Sequence, residues 1–156
     1  MTVKMRKLLL GLAGLVALAL ALAGIALAAQ TASTHLKATL NAGQEVPKQA
    51  VKAPGGTGTF TATLTGTKLT WTLTFQKLSG TPSAAHIHLG RPGKAGPVAV
   101  PLCGPCTSGV TATATLSSAQ VAAVLVGSTY VNVHTAKNPN GEIRGQITTA
   151  PSGKRY

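Results

Sequence analysis

The sequence has almost no negative charge. It contains no aspartate, and its only acidic residues are Glu45 and Glu142, against 14 lysines and arginines in 156 residues. Without the amino-terminal Lys4, Arg6 and Lys7, the formal net charge falls from +12 to +9. This balance favours anionic partners, such as an anionic substrate, acidic envelope polymers or lipid head groups.

Aromatic residues are also scarce, at 3% of the chain. No run of clustered lysines or arginines is interleaved with aromatics, which is the pattern typical of a nucleic-acid-binding surface. The amino-terminal sequence described below indicates export as well. We therefore expect no nucleic-acid partner.

Cysteine is nearly absent: Cys103 and Cys106 are the only two, in the sequence Cys-Gly-Pro-Cys. In a strand-helix-strand pattern this spacing would indicate a thioredoxin-type redox pair. Here the pair lies in a loop rich in glycine and proline, with no helix pattern after it. For an exported protein we predict a structural disulfide; a redox-active pair and thiolate binding of Cu(I) are the alternatives.

The amino-terminal segment is apolar from Leu8 to Leu27, after a basic start. Ala26-Leu27-Ala28 then has the small-x-small pattern of a signal-peptidase site. We predict a signal peptide at residues 1–29, cleaved after Ala28 or nearby, and hence a periplasmic, cell-envelope or secreted protein. The apolar run is nearly long enough to span a bilayer, so membrane attachment through an uncleaved anchor is the alternative.

The rest of the chain has no repeats of the length that marks a solenoid. We expect residues 30–150 to form one domain with one core, and residues 151–156 to be a tail. Apolar residues alternate with polar ones through most of this domain, as in residues 59–75, where threonines separate the apolar positions. Such alternation predicts antiparallel strands with one buried face, and therefore an all-β fold.

Only one stretch has the pattern of a helix. Ser117 and Gln120 have the spacing of a capping box, and Gly127 suits the end of a helix. One short helix in a strand-rich chain is expected to be a connection between strands.

Histidine is rare, yet three of the four histidines lie where one sheet face can present them together. Side chains alternate along a strand, so His86 and His88 point the same way, and His134 shares its face with Tyr130 and Asn132 on a later strand. Three neutral imidazoles suit Cu(II), Zn(II) or Ni(II), and copper stands highest in the affinity series. We predict a metal site; the alternative is three surface histidines without a metal.

The remaining candidate ligands and acids are interpreted more simply. His35 lies near the start of the mature chain and is expected to be solvated, with a role as a fourth metal ligand as the alternative. Glu45 and Glu142 are expected to serve as charge partners of lysines or arginines; for Glu45 a hydrogen bond to a metal-binding imidazole is the alternative.

Residues 138–141, Asn-Pro-Asn-Gly, predict a tight turn between the last two strands. A three-residue loop there sets His134 opposite Gln146, with Arg144 diagonal to it. A two-residue loop would instead put His134 on the face of the core candidate Ile143, so we prefer the three-residue loop. On this register His134 and Arg144 share one polar face.

Four short motifs follow one another along the chain: Gln44-Glu45-Val46-Pro47, Ala84-Ala85-His86-Ile87-His88-Leu89-Gly90, Tyr130-Val131-Asn132-Val133-His134-Thr135 and Asn140-Gly141-Glu142-Ile143-Arg144-Gly145-Gln146. Together they resemble the CHRD domain, the module named after chordin and also found alone in bacterial exported proteins. The resemblance runs from about residue 35 to residue 148, essentially the whole mature chain.

The CHRD domain is similar to the copper/zinc superoxide dismutases, which implies a Greek-key β-barrel or sandwich. By this resemblance His86, His88 and His134 are copper ligands, with one copper per chain, and Arg144 is the arginine that guides the anion. The zinc site of those enzymes uses further histidines and an aspartate. This chain has no aspartate and no histidine between His88 and His134, so no zinc site is expected.

Three functions are consistent with these features. The first is an exported, copper-only enzyme similar to superoxide dismutase, acting on superoxide or another small anion. The second is a protein that stores or delivers copper without catalysis, in which Cys103 and Cys106 are thiols that help to hold Cu(I). The third is a metal-free extracellular module that binds proteins or acidic polymers. A disulfide favours the enzyme, whereas reduced thiols near the histidines favour copper handling.

Overall fold

The computed structural model describes residues 32–48, 51 and 55–150. The predicted signal peptide (residues 1–29) and tail (residues 151–156) lie outside these described residues. Within them the chain is built from β-strands and one short α-helix, which confirms the all-β prediction. The strands are β1 (Ser33–Asn41), β2 (Thr57–Thr65), β3 (Lys68–Gln76), β4 (Pro82–Leu89), β5 (Val98–Cys103), β6 (Val110–Thr115), β7 (Thr129–Thr135), β8 (Ile143–Gln146) and β9 (Thr148–Thr149).

Eight of these strands form a nearly closed antiparallel barrel. Hydrogen-bonded neighbours follow the order β5-β4-β7-β8-β1-β2-β3-β6, and β5 and β6 at the two ends contact each other. Strand β9 pairs with β1 beside this path. Around the barrel, β3 lies next to β6 while β4, β5 and β6 are consecutive neighbours, which is a Greek-key connection. The fold therefore has the predicted Greek-key type.

The alternating pattern explains the single core. Strands β2 and β3 pair along their whole length, from Thr57 opposite Gln76 to Thr65 opposite Lys68, so their apolar residues all face the barrel interior. Their threonines cover the outside. The largest buried apolar side chains of the interior are Trp71, Phe60, Leu36, Leu40, Leu69, Leu73, Ile87, Ile143 and Ile147.

The predicted connecting helix is α1 (Ser118–Leu125), between β6 and β7. Ser117 is its N-cap: the Ser117 side chain accepts from the backbone N–H of Gln120, and the Gln120 side chain accepts from the backbone N–H of Ser117. Both halves of the predicted capping box are thus present. In the described part of the chain, no helix combines the length and apolar character needed to cross a membrane.

The predicted register of the last two long strands is wrong by four residues. Gln146 lies opposite Tyr130 rather than His134, and Arg144 lies opposite Asn132. The turn itself is present, since the Gly141 N–H donates to the Asn138 carbonyl (3.1 Å). However, the ladder of β7 and β8 starts only at residue 143, and residues 136–142 form a longer loop. An even shift keeps every side chain on its predicted face.

Glu142 explains this longer loop. It is fully buried, and its carboxylate accepts hydrogen bonds from the Ser79 backbone N–H, the Ser79 and Thr135 hydroxyls and the Asn138 side-chain amide, at 2.5–2.9 Å. Burial opposes its ionisation, but these bonds outweigh burial and lower the pKa of Glu142. All of the donors are neutral groups, so Glu142 is not the charge partner expected from the sequence.

Candidate metal centre

The three predicted histidines meet on the outer face of the barrel. Strands β4 and β7 are neighbours, and in their register His86 lies opposite Asn132 while His134 lies opposite Ala84. Ring centroids are 5.1 Å apart for His86 and His134, 5.6 Å for His86 and His88, and 5.8 Å for His88 and His134. One ring nitrogen from each histidine lies within 4.8 Å of the other two. That His86, His88 and His134 bind a metal stays a prediction.

Backbone carbonyls set the tautomers of two of these rings. His88 Nδ1 is 3.0 Å from the Gly96 carbonyl oxygen, and His134 Nδ1 is 3.0 Å from that of Pro139. Because a carbonyl can only accept, Nδ1 carries the proton in each ring, and a neutral imidazole then has its lone pair on Nε2. Both Nε2 atoms, and Nδ1 of His86, are buried without a hydrogen-bond partner. Carbonyl-anchored imidazoles with an unshared nitrogen are the usual arrangement of metal-binding histidines.

Gly96 is needed for one of these anchors. A Cβ atom at this position would lie 1.7 Å from the backbone oxygen of Leu89. Only glycine therefore allows the chain to pass this close and to present its carbonyl to His88. The Tyr130 hydroxyl lies at the same place, accepting from the Gly96 N–H at 3.2 Å.

Electrostatics favour neutral rings. Burial lowers the pKa of His86, His88 and His134, and the nearby cationic groups lower it further for His88 and His134. The carbonyl bonds oppose this change without reversing it. The cluster thus disfavours protonation, which is the competitor of metal binding at an imidazole.

Tyr130 joins this cluster to Arg144, a role that the sequence did not reveal. The Tyr130 ring stacks on His88 with centroids 5.0 Å apart and planes 10° from parallel. The guanidinium carbon of Arg144 lies 3.4 Å from the centroid of the same ring. Arg144 is 2% exposed, and it donates to the carbonyls of Lys94 (2.8 Å) and Arg91 (3.5 Å). The predicted anion-guiding role of Arg144 stays a prediction.

Glu45 is buried on the same face. Asn132, which lies opposite both His86 and Arg144 in the sheet, donates its amide to Glu45 Oε2 at 3.3 Å. Glu45 Oε1 is buried without a hydrogen-bond partner. Burial raises the pKa of Glu45 to about 7, against the opposing effects of the Asn132 bond and the Arg144 charge. Glu45 therefore has Arg144 as a nearby opposite charge, as expected, but its hydrogen bond comes from the amide of Asn132.

The structure does not bring His35 to the cluster. This histidine lies on β1 opposite Thr63, is exposed, and has its Nδ1 3.2 Å from the Thr63 hydroxyl. Cys103 and Cys106 form a disulfide, as predicted. Cys106 is 5% exposed and packs in the hydrophobic core, on the side of the sheet away from the histidines.

Replacing Glu45 by glutamine should change how stability depends on pH. Since the pKa of Glu45 is raised from 4.5 to about 7 in the folded protein, its contribution is complete below pH 4.5 and is lost as the pH rises through 7. Glutamine does not ionise, so the metal-free variant should gain about 2 kcal/mol relative to wild type between about pH 5 and about pH 8. Urea unfolding at both pH values measures this difference.

The control is Glu142→Gln. The pKa of Glu142 is lowered, so its stabilising charge is lost only as the pH falls below 4.5. This variant should differ from wild type by the same free energy at both pH values. If Glu45→Gln also differed from wild type by the same free energy of unfolding at both pH values, Glu45 would not be a buried carboxyl that is readily protonated.

Comparison with known proteins gives one match. The family model of the CHRD domain matches residues 36–147. No curated protein matches the chain, and no solved structure does. The similarity to the copper/zinc superoxide dismutases therefore stays a prediction. Since the matched residues make up more than half of the sequence, the chain belongs to the CHRD domain family.

Proposed function

We propose that this CHRD domain protein binds one copper ion through His86, His88 and His134 and acts as a superoxide dismutase-like enzyme. The observation that carries the proposal is the convergence of three imidazoles, each with a buried ring nitrogen that has no partner within the protein. A buried nitrogen without a partner is costly unless it binds something. A metal ion would satisfy all three at once.

The donor set fits copper. Imidazole nitrogen suits Cu(II), which stands highest in the affinity series, and the cluster contains no carboxylate or thiolate. When bound, copper supplies one-electron oxidation and reduction, which is the chemistry that superoxide dismutation requires. The protein's own contribution is to hold the three rings neutral on two adjacent strands, with His88 and His134 in fixed tautomers.

The surface charge supports an anionic substrate. Both acidic residues are buried, so every ionisable side chain exposed in the described residues is basic or histidine. A surface with one sign of charge attracts an anion over a distance of about a Debye length. The exposed cations of the described part are Lys37, Lys48, Lys68, Lys77, Arg91, Lys94 and Lys137.

The disulfide favours the enzyme over copper storage. Thiols that help to hold Cu(I) would have to be reduced and close to the histidines. Cys103 and Cys106 are instead bonded to each other, and Cys106 packs in the core. A disulfide is also typical of an oxidising compartment, so it supports our proposal that the protein is exported to the periplasm, the cell envelope or the medium.

Arg144→Ala should reduce superoxide dismutation without removing copper. Arg144 carries a fixed positive charge that reaches the cluster, since, besides burial, it helps to lower the pKa of His88, and this supports a role in attracting the substrate anion. We expect the activity of the copper-loaded variant to fall by about tenfold or more at low salt, and by less at high salt, because screening weakens the lost attraction. Stopped-flow decay of superoxide at two ionic strengths measures this effect.

Lys68→Ala is the matched control, since Lys68 is an exposed cation at the end of β3. It removes the same charge from a distant part of the sheet and should leave the activity within about twofold of wild type. An equal loss in both variants would show that only overall charge matters. Copper-loaded wild-type protein without activity would contradict the enzymatic proposal and leave copper binding alone.

A further inference from the structure

A separate cleft lies beside the histidine cluster. Its volume is about 430 Å³, within the range of small-molecule sites. It is lined by residues 43–46 and Lys48, by Pro92 and Gly93, and by Arg144 and Gln146 of β8. We propose that this cleft binds a small hydroxylated carboxylate, a molecule with the size and chemistry of a hexuronic acid.

The cleft is distinct from the candidate metal centre. None of the three clustered histidines lines it. The cleft is lined by residues of β8 and two loops, whereas the histidines are on β4 and β7. Tyr130 and Asn132 of β7 pair with β8 on one side and with the histidine strand β4 on the other, so they lie between the two sites. Binding in the cleft therefore requires no metal.

Positive charge in the cleft provides the carboxylate site. Arg144 donates to two backbone carbonyls and not to a carboxylate, and its charge is partly offset by Glu45 only when that carboxyl is ionised. Lys48 lines the same cleft and is exposed. Arg91 and Lys94 are exposed cations on either side of Pro92 and Gly93, which line the cleft. A ligand carboxylate between these groups would gain charge-assisted hydrogen bonds.

Buried acceptors provide the site for hydroxyl groups. Glu45 lines the cleft, is only 2% exposed, and has an oxygen, Oε1, without a partner. The Gln146 amide nitrogen lies 2.9 Å from the carbonyls of Gly90, Gly127 and Thr129, which share its two N–H donors, so only its oxygen is left to accept from a ligand. If the cleft wall moved enough to expose Oε1, a ligand hydroxyl that donated to Glu45 would satisfy a group that is otherwise costly to bury.

Glu45 need not repel the ligand's negative charge. Burial raises its pKa to about 7, so near neutral pH much of this carboxyl is uncharged. The net charge facing the ligand is then that of Arg144 and Lys48. A site for a sugar acid needs acceptors for the hydroxyls of the ligand and donors for its carboxylate. The cleft has both, next to each other.

Isothermal titration calorimetry of the metal-free, full-length protein with D-glucuronate tests this proposal. We expect saturable binding with one site per chain, and binding at least about tenfold weaker for D-glucose, which lacks the carboxylate, and for acetate, which lacks the hydroxyls. Lys48→Glu should weaken glucuronate binding by about tenfold or more, because it reverses a charge in the cleft. Lys68→Glu makes the same charge change on the distant strand β3 and should have an effect below about twofold.

Three results would overturn the proposal: no saturable binding of glucuronate, equal binding of acetate and glucuronate, or equal losses in the two lysine variants. A short oligoglucuronate is titrated in parallel. Tighter binding of free glucuronate would indicate a free sugar acid as the ligand, and tighter binding of the oligomer would indicate an acidic polysaccharide. Because no metal is present, a negative result here leaves the copper proposal standing. Failure to bind copper likewise leaves this proposal standing.

Discussion

Replacing His134 by alanine is expected to lower the affinity for Cu(II) by at least about 100-fold. His134 is the only one of the three clustered histidines on β7, so the variant leaves two imidazoles, both from β4. Loss of a residue that merely positions a metal ligand costs about 10- to 100-fold in affinity, and loss of the ligand itself should cost more. Competition with a copper chelator of known affinity measures the change.

His35→Ala is the matched control for this substitution. It removes the same side chain from an exposed site on β1, where the His35 ring hydrogen-bonds to the Thr63 hydroxyl. Copper affinity should stay within about twofold of wild type. If His35→Ala weakened binding as much as His134→Ala, the copper would be bound by exposed histidines and not by the cluster.

Glu142→Ala is expected to be the most destabilising single substitution considered. It removes an acceptor that four hydrogen bonds use and leaves the buried donors of Ser79, Thr135 and Asn138 without it. Hydrogen bonds to charged groups are worth about 1.5–3 kcal/mol, and donors left unsatisfied add to the loss. We expect a decrease of about 3 kcal/mol or more, or about 10 °C in the melting temperature of a domain of this size.

The pH dependence gives a second test of the same carboxylate. Since the pKa of Glu142 is lowered in the folded protein, its contribution is present above pH 4.5 and is lost as the pH falls further. Wild type and Glu142→Ala should therefore approach each other in stability at acidic pH. Lys137→Ala, an exposed change in the same loop, should shift the melting temperature by only about 1 °C. If the difference in stability between wild type and Glu142→Ala were the same at every pH, Glu142 would not be ionised in the folded protein.

Alternation of side chains made the face of each clustered histidine predictable, whereas the pairing of β4 with β7 that brings them together was indicated only by the family resemblance. His86 and His88 are two residues apart, and Tyr130, Asn132 and His134 share a period of two, so their faces follow from strand geometry alone. The helix cap at Ser117 was equally local, because its partner is three residues away. Features of this kind depend only on neighbours in the sequence.

The register of β7 and β8 was not local in this sense. The Asn-Pro-Asn-Gly turn forms, but hydrogen bonds from Ser79, more than sixty residues away, hold Glu142 inside and keep residues 136–142 out of the ladder. The burial of Glu45 likewise depends on Asn132, 87 residues further along the chain. Sequence patterns carry no signal for such pairings, so two carboxylates that looked like surface charges proved to be buried.

Electron paramagnetic resonance of the protein with one equivalent of Cu(II) tests the central claim most directly. If His86, His88 and His134 hold the ion, the spectrum should show a single Cu(II) species with hyperfine structure from about three equatorial nitrogens. The same spectrum should appear in His35→Ala and be lost in His134→Ala. A mixture of weakly bound species in wild type, or an unchanged spectrum in His134→Ala, would contradict the proposed copper centre.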